Sequence, residues 1–118
     1  MSEPPTRFAD RGGMPRWPPR RGATATCHRG AHGLGSALAA RLLGLSEFGV
    51  RLAVPEVLEA GRVVEVGLAV PAMPRPVRRL AKVRGCEPLP EGGHAAVLEF
   101  EQPLAYADLL QLARPAEL

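Results

Sequence analysis

Short runs of alternating apolar and polar residues, each stopped by glycine or proline, most restrict what this chain can fold into. In Val63–Val70, Val64, Val66, Leu68 and Val70 share one face and Glu65 lies on the other, the two-residue period of a strand with one side buried. Gly61 supplies a turn just before it. Gly49–Val54 repeats the pattern with Val50, Leu52 and Val54 inward and Arg51 outward, and Pro55 stops central-strand pairing beyond it. In Val77–Arg84, Val77, Ala81 and Val83 oppose Arg78, Lys82 and Arg84. Ala96, Leu98 and Phe100 align within His94–Phe100, and Gly92–Gly93 suits a hairpin turn between these last two runs. Strands this short and this regularly punctuated predict an all-β barrel or sandwich.

Two stretches carry a different signal. Leu34, Leu38, Leu42 and Leu45 follow helical spacing, with Ser36 placed as a cap, whereas a strand over Ser36–Leu45 sets Ala37, Ala39, Arg41, Leu43 and Leu45 on one face. The strand is the reading adopted. After Pro103, Leu109, Leu110, Leu112 and Ala113 with Asp108 early and Arg114 late predict a short amphipathic helix over 104–115, ended by Pro115. Residues 1–22 show no apolar period and carry Pro4, Pro5, Pro15, Pro18 and Pro19, so they read as an extended arm ordered by what it binds. With 118 residues in all, the chain suits one domain, a barrel over 23–103 between arm and helix.

Charge is distributed unevenly. Residues 1–35 hold six arginines against Glu3 and Asp10, a net +4, while nine basic and ten acidic residues leave the remainder at −1. An anionic partner would be drawn to the first third of the chain. Cys27 and Cys86 are too few for a disulfide framework and form no CxxC pair, so they read as small buried hydrophobes. Cys27, His28 and His32 lack a second cluster to complete a four-ligand metal site, and no paired carboxylates or activated nucleophile can be assembled. His32-Gly33-Leu34-Gly35 lacks the further glycine and lysine of a phosphate loop. No apolar run is long enough to span a membrane and no apolar signal core leads the chain, so a cytoplasmic location is expected.

From Arg16 onward the order of features resembles the PilZ domain family. Arg16-Trp17-Pro18-Pro19-Arg20 supplies an RxxxR motif before the first strand, and Gly44-Leu45-Ser46-Glu47-Phe48-Gly49 lies where that family has a D/N-x-S-x-x-G turn. Ala95–Phe100 followed by Leu109–Ala113 resembles its last strand and helix. The resemblance covers roughly residues 16–113 and implies a six-stranded antiparallel barrel with a C-terminal helix. Its implied function is non-catalytic binding of cyclic di-GMP, without a cofactor or metal, in bacterial second-messenger signalling. The implied contacts are Arg16 and Arg20, with Arg21 as a substitute for either, the Ser46 hydroxyl, and Gly49 as a point of close approach or positive φ. Guanidinium forks suit guanine O6 and N7 and phosphate oxygens. The arm over residues 7–22 would order on binding.

The match departs at Gly44, which offers no side chain to a guanine edge. Arg7–Arg11 and Arg75–Arg79 share the RxxxR spacing, and position before the first strand selects Arg16 and Arg20. Trp17 suits either base stacking or packing across the barrel mouth. A PilZ-like domain that has lost the ligand and works through an unidentified protein partner is the alternative. A nucleic-acid-binding barrel, motivated by the basic arm, has few aromatics to stack on.

Overall fold

The computed structural model describes residues 17–30 and 37–114. Six strands follow in order: β1 (Thr24–Arg29), β2 (Ala37–Leu45), β3 (Gly49–Val54), β4 (Val63–Ala69), β5 (Val77–Pro88) and β6 (His94–Phe100), then one helix, α1 (Tyr106–Leu112). All pairings are antiparallel, and the ring β1-β2-β3-β6-β5-β4 closes on itself as a barrel. Because successive strands reverse direction, the barrel has two distinct ends. The 17–23 segment, the 46–48 turn, the 70–76 turn and the 101–112 tail share one, here called the arm end. The 55–62 connection and the 89–93 hairpin share the other.

The inward side chains are those the alternation selects. Val50, Leu52, Val54, Val64, Val66, Leu68, Ala81, Val83, Ala96, Leu98 and Phe100 are all buried. Two bulges then shift the pattern. Leu42 faces Leu52 but Gly44 faces Arg51, so Leu43 is the extra residue, and a second shift falls between Val83 and Gly85. In β2 this gives inward Leu38, Ala40 and Leu42 before the bulge and inward Leu45 after it. The face expected from strict alternation, Ala37 through Leu45 on odd numbers, is therefore corrected. The strand itself stands, and its bulge explains why Leu38, Leu42 and Leu45 imitate helical spacing.

The helix is shorter than the expected 104–115. Leu104 is buried and its N–H donates to the Glu47 carbonyl at 2.8 Å, so the chain is held extended before α1 begins. At the other end Ala113 has extended backbone (φ −142°, ψ 158°) and pairs with Pro19. Arg114, restricted by the following proline, lies beyond the helix.

Cys27 is fully buried in the core. Burial pushes its thiol up from 9.0 to about 11, against a smaller opposing pull from the Arg29 guanidinium. Between those values the unfolded thiol has lost its proton and the folded one has kept it, so stability falls as pH rises through the window. Urea denaturation below pH 9 and near pH 11 should show this loss, with a shallower pH slope in Cys27→Ala.

The hairpin turn supplies a sharper test. Gly92 and Gly93 both take positive φ, but a Cβ at Gly92 meets open space whereas one at Gly93 would sit 2.8 Å from the Val54 carbonyl oxygen. Gly93→Ala should cost about 3 kcal/mol and Gly92→Ala about 1 kcal/mol in chemical denaturation, the difference being the backbone clash added to the strained φ.

Candidate ligand-binding end

The arm enters the barrel by pairing with the bulged end of β2. The Trp17 N–H donates to the Leu45 carbonyl and the Leu45 N–H to the Trp17 carbonyl, both at 2.9 Å. Further on, the Arg20 N–H donates to the Leu112 carbonyl and the Arg114 N–H to the Pro18 carbonyl, again at 2.9 Å. Residues 17–20 thus form a strip between β2 and the tail. The sequence placed Trp17–Gly22 in a loose arm. Here its backbone is pinned because it satisfies groups that the end of β2 and the last turn of α1 would otherwise leave open.

The Trp17 ring is half-buried on the core and meets Tyr106 edge-on, with centroids 6.2 Å apart and planes at 82°. Packing across the mouth is the role it takes in this structure. Tyr106 opens α1 and is 60% exposed. The two aromatics lie far apart in sequence, and neither a two-residue nor a helical period signals that they meet.

Each motif residue has a definite place. The Arg20 side chain is exposed, and its Nε–H donates to the Leu110 carbonyl at 2.6 Å. Arg21 sits exposed in the turn closed by the Ala23 N–H on the Arg20 carbonyl at 3.0 Å. Neither guanidinium has an ion pair among the described residues. Arg16 lies outside the described residues.

The Ser46 oxygen accepts from the Phe48 N–H at 3.2 Å and the Gly49 N–H at 3.1 Å, so it organises its own turn. The Ser46 N–H closes that turn on the Gly49 carbonyl at 2.9 Å. Gly49 is buried at the start of β3 and is not among the glycines of positive φ, which corrects that part of its expected role. Gly44 lies directly across from Arg51, whose buried Nε has no hydrogen-bond partner among the described residues.

The fold therefore gathers Arg20, Arg21, Trp17, Tyr106 and the Ser46 turn at one end. Exposed guanidinium groups beside an aromatic edge can hold a planar or phosphorylated anion by forked hydrogen bonds and stacking. Among the described residues no cluster of three or more His, Cys, Asp or Glu side chains is arranged to hold a metal, and no helix is long and apolar enough to cross a membrane. No protein-family model matches the chain, and searches of curated proteins and solved structures return no match either.

Because the Ser46 oxygen accepts two backbone hydrogen bonds, Ser46→Ala should lower stability by about 1 kcal/mol without any ligand present, measured by urea denaturation. A serine serving a ligand alone would leave that stability unchanged.

Proposed function

We propose that this protein is a non-catalytic bacterial binding module of PilZ type, acting in the cytoplasm as a receptor for cyclic di-GMP. The observation that carries this reading is the backbone pairing of Trp17 with Leu45, because it draws the arginine segment alongside the strand that runs into Ser46. Arg20 and Arg21 are thereby brought to the same end of the barrel as the Ser46 turn. Arg20 and Arg21 would donate to guanine or phosphate acceptors, and Arg20 would exchange the Leu110 carbonyl for a charged or better-aligned acceptor. Arg16 would join them from the arm. Ser46 and Gly49 would shape the turn on which the ligand rests, with Ser46 contributing geometry more than a free hydroxyl.

A second reading is favoured by Gly44 and by the commitments of the other motif residues. The guanine edge that a D/N side chain would satisfy has no acceptor at Gly44, and an unpaired buried donor costs on the order of 1–3 kcal/mol, roughly tenfold to a hundredfold in affinity. On this reading the same end, with its exposed Tyr106, docks a protein partner and no nucleotide.

Isothermal titration of cyclic di-GMP into the wild-type chain, Gly44→Asp and Arg20→Ala decides between them. The receptor reading expects weak saturable heat for wild type, binding at least about tenfold tighter for Gly44→Asp, and loss of at least about tenfold for Arg20→Ala. Absence of heat from both wild type and Gly44→Asp would leave the protein-interaction reading.

A further inference from the structure

The RxxxR spacing occurs again at Arg75–Arg79, entering β5, and the fold gives these arginines unequal surroundings. Alternation along the strand sets Arg79 in the inward series with Val77, Ala81 and Val83, and Arg78 in the outward series with Leu80 and Lys82. Arg79 is thus a charged side chain at an inward position near the arm-end mouth.

Among the described residues its outer nitrogens reach carbonyls alone: Nη1 donates to Arg78 at 2.9 Å and Nη2 to Pro103 at 3.4 Å. Its Nε is buried with no hydrogen-bond partner, and no carboxylate pairs with it among the described residues. Carbonyl dipoles solvate a guanidinium but do not neutralise it, and a half-buried cation without an anion is costly. Arg78 is scarcely better matched. Its Nη1 lies 3.9 Å from Glu65 Oε1, beyond hydrogen-bonding reach, and that oxygen is itself buried without a hydrogen bond.

Arg78, Arg79, Leu80, Glu101 and Gln102 line an open cleft of about 500 Å³. None of Arg20, Arg21, Ser46 or Gly49 lines it. We infer that this cleft is a second anion site, taking the phosphate group of a small phosphorylated molecule on the Arg78 guanidinium and on the outer nitrogens of Arg79, each of which keeps a second N–H beyond the one given to a carbonyl. Two guanidinium groups reaching one cleft from either side of the strand match a dianion with three acceptor oxygens better than a single carboxylate. The cleft is of the size that holds small organic ligands and exceeds what one phosphate fills, with Leu80 offering apolar contact and the Gln102 amide a further donor. Glu101 is the opposing feature. Its carboxylate on the lining repels the anion, so it limits affinity.

The test is a titration of the full ¹⁵N-labelled chain, following the arginine Nε–H signals at constant ionic strength. Inorganic phosphate and adenosine monophosphate are the probes. Arg79 Nε–H should shift saturably with either, while Arg41 and Arg62, on the outer surface, stay put. Tighter binding of the nucleotide assigns the rest of the cleft to the organic moiety, and equal binding assigns the site to the phosphate group alone.

Arg78→Gln, an exposed substitution, should weaken binding about tenfold, and Glu101→Gln should tighten it. Arg20→Ala should leave it unchanged, whatever cyclic di-GMP does at the other site. An Arg79 signal that stays still, or that drifts linearly with every exposed arginine, overturns the proposal. So does a loss equal in Arg20→Ala and Arg78→Gln.

Discussion

The ladder between β1 and β4 turns a six-stranded sheet into a barrel, and everything else in the molecule is arranged around that closure. It runs from Thr24 opposite Ala69 to Arg29 opposite Val64. Midway, Thr26 faces Gly67, where an added Cβ would lie 2.6 Å from the Thr26 hydroxyl oxygen. The seam accommodates a branched side chain on one strand because its partner there has none. With the seam made, no barrel strand is left with an unpaired edge, and the liability of an open sheet disappears. Outer faces and two ends remain as the places where the protein can meet other molecules.

The two ends are finished differently. At the arm end the chain passes over the mouth twice, first as Trp17–Arg20 and again as α1 and Ala113, and the passes are bonded to each other and to Leu45. Trp17 and Tyr106 fill the space between them. At the hairpin end a cleft of about 450 Å³ is lined by Arg29, Val57, Leu58, Glu59, Arg62 and Val63 among others. Its arginines are already engaged, Arg29 with Glu56 and Arg62 with Glu59. That end has apolar surface but little uncompensated charge.

Strand identity was legible wherever one face is buried, because β3, β4 and β6 carry no bulge and their large apolar residues fall on every second position. Legibility failed where an element answers to a distant partner. The side of β2 that faces inward depends on a bulge whose cause is its pairing with β3, and Leu38, Leu42 and Leu45 obey that bulge while mimicking a helix. The limits of α1 depend on Glu47, Pro18 and Pro19, which local propensity cannot register. In the candidate site, residue types pointed to Arg20 and Ser46. That the Ser46 hydroxyl is consumed by its own turn, and that Arg20 rests on Leu110, are facts of three-dimensional bonding. Arg79 was hidden for the opposite reason, since alternation marks β5 as apolar inside and a lone inward arginine reads as an exception without a cause.

Charge pairing orders these observations along the barrel axis. Arg29, Arg41, Arg62, Arg78 and Arg84 each have a carboxylate within ion-pair distance, most of them on the outer wall or toward the hairpin end. Arg20, Arg21, Arg51, Arg75, Arg79 and Arg114 have none among the described residues, and all of these except Arg51, which lies within β3, belong to segments at the arm end. Glu47, Glu101 and Asp108 lie at the same end without pairing with them. An exposed ion pair stabilises a fold by little, so its absence costs the fold little as well. What the arrangement changes is the field: guanidinium groups without an ion pair are concentrated at one mouth and those elsewhere are mostly paired, which directs an approaching anion to the arm end before any specific contact is made.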